Sequence, residues 1–127
     1  MTRRLANPAV LAAHAAAVHG CELAPFLACC GGHGATQIHH VLRGPNRVDA
    51  AWNLVSVCDV AHDWCHQETV QGMVICWHVL HLRGDLDIDA IRQQWGRSPL
   101  QRIELVARDA CSSFRFVARK LLEVYGD

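Results

Sequence analysis

Between Gln37 and Gln67 the chain carries histidines whose spacing suits a divalent ion: His39 and His40 side by side, then His62 and His66 four residues apart. Residues i and i+4 of a helix share one face a single turn apart, so His62 and His66 can grip one ion between imidazole nitrogens. Neighbouring side chains of a strand point to opposite faces, so only one of His39 and His40 can join that ion. The other is left as a free, separately oriented imidazole. A divalent ion beside a free base is what metal-assisted hydrolysis uses: the ion stabilises charge and the base activates water. Either histidine pair alone is a weak signal. Their conjunction, with Asn53 opening a strand between them, is far more specific.

These residues need elements to hold them. Gln37–Leu42 is β-compatible, Arg43-Gly44-Pro45-Asn46-Arg47 is turn chemistry, and Asn53–Cys58 alternates apolar and polar like a half-buried strand. Asp59 is a natural N-cap for a helix running through about Glu68. The middle of the chain therefore reads strand, loop, strand, helix. Ahead of it, residues 8–19 read as a helix opened by Asn7-Pro8 and stopped by Gly20. Residues 20–35 are Cys/Gly-rich and irregular. Behind it, Gly72–Leu82 is an apolar run that periodicity leaves open between strand and helix. Asp87 caps a helix through Trp95, with Ile88, Ile91 and Trp95 on one face and Gly96 ending it. A last helix over 112–125 turns Phe114, Val117, Leu121, Val124 and Tyr125 to the core. No repeat, low-complexity tract or linker divides the chain, which reads as one α+β domain over 1–127.

Composition bounds what such a site could serve. The chain has 127 residues with 12 basic and 12 acidic side chains, so the formal net charge is zero. That excludes a disordered polyelectrolyte and a histone-like blanket binder of nucleic acid. The nine histidines and seven cysteines make a metal site the first thing to test. An odd cysteine count argues against a fully disulfide-bonded secreted domain and fits reduced thiols in a cytoplasm. Arg3-Arg4 before an Ala-rich stretch imitates a secretory signal, but His14 interrupts the apolar run and Asn7-Pro8 starts a helix. No apolar run reaches the ~20 residues that span a bilayer. A soluble, cytoplasmic protein without membrane partners is the expectation. Cys65, Cys76 and Cys111 read as ordinary buried thiols.

The stretch resembles the HNH nucleases, whose ββα-metal motif is also the core of the colicin-type DNases. Their pattern is a His-His pair ending the first strand, an Asn at the start of the second, and a helical His often followed by another four residues on. Here those positions are His39-His40, Asn53, His62 and His66. Trp52-Asn-Leu-Val-Ser-Val-Cys58 and Ala61-His-Asp-Trp-Cys-His66 look like the family's ending. The resemblance covers roughly residues 21–68 and implies a ββα-metal core with flanking helices, residues 70–127 forming a helical extension. It implies that His39, His62 and His66 are the metal ligands and that His40 is the general base. Asn53 would brace the loop by hydrogen bonds without touching the metal. The implied activity is hydrolysis of DNA phosphodiesters with one divalent ion (magnesium, manganese, nickel or zinc), leaving 5′-phosphate and 3′-hydroxyl ends. Small members of this family serve genome packaging, mobility or defence in phages and bacteria, which places the chain in a bacterial or host cytoplasm.

The sequence departs from the family in two ways. Many members frame the motif with a structural zinc on two Cys-x-x-Cys pairs; here Cys30 and Cys58 remain, but Leu27 and Ala61 stand where their mates would be. Cys21, Cys29 or His33 could complete a mixed zinc site. Within residues 33–66 only Arg43 and Arg47, the candidate phosphate contacts, oppose Asp49, Asp59 and Asp63. Weak, non-specific DNA affinity or dependence on a protein partner that directs the cut is the consequence. The alternative from another class is a non-catalytic zinc-binding module for nucleic acid or protein, its histidines and cysteines serving only the fold.

Overall fold

The structure, a computed structural model, describes residues 5–27, 36–110 and 112–126. Its described part is α+β: six helices and one two-stranded antiparallel sheet. Helix α1 (Pro8–Ala17) starts as the caps demand, the Asn7 side chain accepting from the Val10 amide and Pro8 filling the first turn. It ends before the expected Gly20, because β-branched Val18 is already extended; Gly20 makes the following turn with φ 80°.

Strands β1 (Gln37–His40) and β2 (Leu54–Val57) pair with His39 opposite Val55 and His40 opposite Leu54. Both are shorter than the sequence suggests, for one reason. Asn53 sits in a one-turn 3-10 helix (Ala51–Asn53), and its backbone and side chain take over the bonds to Val41 and Leu42 where the ladder would continue. β2 is also buried along its whole length, not half-buried: Ser56, the polar position in its alternation, shares a hydrogen bond with the His14 ring of α1.

Helix α2 (Asp59–Gln67) is capped by Cys58, whose Sγ accepts from the Ala61 amide, so Asp59 is the first helical residue and not the cap. The apolar run that periodicity left open is a helix, α3 (Thr69–Arg83), with Val74, Ile75, Cys76, Trp77 and Leu80 fully buried. A helix apolar over most of its circumference belongs near the centre of a fold. It lies against α2 closely enough that a Cβ at Gly72 would stand 3.1 Å from the Cys65 Cα. Gly84, with φ 85°, ends it.

Helices α4 (Ile88–Trp95), α5 (Pro99–Asp109) and α6 (Ser112–Tyr125) close the core over α3. α4 has the expected Asp87 cap and Gly96 stop. α5 was not anticipated, although Ser98-Pro99 opens it and Ile103 and Val106 bury one face. In α6, Val117 and Leu121 face the core, but Val124 is 57% exposed, contrary to its expected core role. Among the described residues no helix is long and apolar enough to cross a membrane.

Candidate active site

β1 and α2 meet so that the His39 ring packs edge-on against His62 and His66, with ring centroids 5.3 and 5.8 Å away. One nitrogen from each of His39, His62 and His66 falls in a group whose members all lie within 4.8 Å of one another. The helical pair closes to 3.1 Å between its two Nε2 atoms. His39 is 4% exposed, and its Nδ1 is buried with no hydrogen-bond partner. A buried, unpaired imidazole nitrogen is costly unless something ligates it, so the donor set fits a divalent ion.

Electrostatics favour the neutral form, the one able to ligate. Burial, then the charges of His62, Arg43, His66 and His40, push the His39 imidazole down to about 3. Burial and then Arg43 also lower His66. Arg43 donates to His66 Nδ1, which leaves the ring proton on Nε2, facing His62. An ion held by that Nε2 would need the ring proton on Nδ1, the nitrogen that Arg43 now occupies.

His40 has a different partner. Its Nε2 lies 2.7 Å from Asp49 Oδ1, while Asp49 Oδ2 accepts the Asn7 amide at 2.8 Å. Burial pushes the Asp49 carboxyl up, but the Asn7 amide and the His40 ring outweigh it and hold the group below the usual carboxylate value. Asp49 is in turn fixed by a short parallel bridge between Leu5 and Val48. Both histidines of the pair nevertheless line one open cleft of about 350 Å³, with Arg43, Arg47, His62 and His66.

Fully buried Asn53 braces the chain beside this cleft: its amide donates to the Leu42 and Val48 carbonyls at 3.2 and 3.0 Å, and its Oδ1 accepts the Leu42 amide at 2.7 Å. It thereby ties β1 to the chain just before Asp49. Of the residues expected at a structural zinc, Cys58 is buried as the α2 cap, and Cys29, Cys30 and His33 lie outside the described residues. Sequence reasoning missed three partners. Asp49 carried no signal beyond its charge, and Cys65 and Cys76 form with His39 a second, wholly buried group of ligating atoms within 4.8 Å.

The buried neutral histidines set a pH dependence for the metal-free protein. An unfolded chain takes up a proton on His39 near pH 6.5, which the folded one refuses until about pH 3. Stability is therefore full above about pH 6.5 and falls on acidification by up to about 1.4 kcal/mol per pH unit. His14, lowered by burial and Arg83, acts with the same sign. Melting curves in chelator between pH 7.5 and 4.5 should show this loss, with a shallower slope in His39→Asn; a pH-independent melting temperature contradicts it.

Compared with known proteins, the chain matches no family model, no curated protein and no solved structure.

Proposed function

We propose that the protein is a divalent-metal-dependent DNA endonuclease built on a ββα-metal core of the HNH kind. The observation that carries this reading is the convergence on one cleft of the His39, His62 and His66 nitrogens and a separately held His40–Asp49 pair. A divalent ion on the three imidazoles supplies charge stabilisation for a phosphodiester in its transition state. The chain's own residues supply the rest. Ionised Asp49 accepts from His40 Nε2, which fixes the tautomer and leaves the Nδ1 lone pair as base. Water attacks phosphorus as its proton passes to Nδ1; the new P–O bond forms, the bond to the 3′-oxygen breaks, and solvent protonates the leaving oxygen. Arg43 and Arg47, on the cleft wall, neutralise the phosphate.

A second reading, a non-catalytic zinc module, is favoured by the buried His39, Cys65 and Cys76 group, since closed thiolate-containing sets are the habit of structural zinc. Nicking of supercoiled plasmid with magnesium, manganese, nickel or zinc, each against a chelator control, separates the two. Chelator-sensitive nicking supports the nuclease. Absence of nicking with every ion rejects it.

A further inference from the structure

The formal charge of the chain is zero, but its arginines are not evenly neutralised. Arg83, Arg92 and Arg108 are each paired with a carboxylate. Arg97 and Arg102 have no carboxylate within ion-pair distance among the described residues. Instead both stand over the Trp95 ring, at 5.7 and 5.1 Å from its centroid. Two guanidiniums on one indole repel each other, and burial together with Arg97 disfavours the charge of Arg102. Such crowding without a counter-ion is relieved when an anion binds between them.

The place where this happens adjoins the active cleft. Arg102 and Trp95 line a cavity of about 190 Å³ together with Arg43, the same arginine that lines the cleft at His39 and His66. The cavity is anchored: Gln94 donates its side-chain amide to the Asn46 carbonyl at 3.1 Å, tying the end of α4 to the turn after β1. Packing of Trp95 against Trp77 at the core holds the indole in place. With cations already over its ring, Trp95 is a platform for guanidiniums, not for a nucleobase, so the surface tracks phosphates and does not read bases.

We infer that Arg43, Arg102 and Arg97 form a phosphate-tracking groove that seats the duplex backbone flanking the scissile phosphodiester. The inference rests on the nuclease reading for its direction, but it concerns binding and is tested without catalysis. It also locates the DNA affinity that a net charge of zero obscures.

The probe is a fluorescein-labelled DNA duplex of about 20 base pairs, titrated by anisotropy in chelator over a range of salt concentrations. Arg97→Gln and Arg102→Gln should each weaken binding about 3- to 10-fold at low salt and flatten the slope of log affinity against log salt by about 1, the signature of one lost phosphate contact. Arg119→Gln, exposed on α6 and outside both cavities, should change neither. Because Arg102 also packs on Trp95, exposed Arg97 is the decisive position should Arg102→Gln unfold. Unchanged affinity and slope in Arg97→Gln, equal losses in Arg119→Gln, or no duplex binding by the wild type overturns the groove. If the expected losses appear but no metal ion ever supports nicking, the groove stands and the nuclease reading alone fails.

Discussion

His40→Ala should lose about 10²- to 10⁴-fold in nicking rate, the usual worth of a positioned base, while binding divalent ions like the wild type. The expectation follows from where its ring goes. His40 is engaged by Asp49, and the group of nitrogens able to hold an ion is made of His39, His62 and His66 without it. Asp49→Asn should act in the same direction more mildly, about 10- to 100-fold, because the amide can donate to His40 Nε2 and so favour the wrong tautomer. Nicking rates measured across a metal titration decide the matter. If excess metal rescues His40→Ala, that residue is a ligand and the roles are reversed. If Asp49→Asn keeps full activity, the carboxylate does not position the base.

The second large effect is on metal binding. His62→Ala removes one of three imidazoles and the donor closest to His66, so divalent affinity should drop by at least about 100-fold in a calorimetric titration. His39→Ala should lose affinity comparably, with part of its nicking activity returning at high metal concentration. His81→Ala, whose ring instead bonds the Tyr125 hydroxyl at 2.8 Å, should leave affinity unchanged. Equal losses at His62 and His81 would remove the basis for the three-imidazole site. A loss of affinity in Cys65→Ser as large as that in His62→Ala would instead point to the buried thiol group as the place where metal binds.

Much of the architecture was readable because it is set locally. Asn7-Pro8, Asp87 and Gly96 mark helix ends through bonds and backbone preferences that reach only a few residues, and the helices they bound are there. Where local signals are silent or shared, the sequence leaves the element open. The run at 72–82 is apolar apart from His78 and His81, a pattern that describes a buried strand as well as a buried helix; its central place beside α2, β2, α5 and α6 makes it α3. α5 opens with Ser98-Pro99, but its apolar face gains meaning only where α3 and α6 cover it.

The same division runs through the site. That His62 and His66 share a face follows from the helical period, and that His39 and His40 diverge follows from the strand period; both are properties of the backbone within one element. Whether α2 would carry its histidine face over His39 is a matter of packing, decided by α3 behind it and the close approach at Gly72. Only tertiary structure could pair His40 with Asp49, because that contact depends on the segment at residues 5–7 bridging back to residues 47–49, over forty positions away. Only it could set Cys65 and Cys76 beside His39, or bring Arg43 and Arg102 to one cavity. Local period and capping act over one or two turns of chain, whereas these partnerships arise from burial shared among elements distant in sequence, which no short window of residues contains.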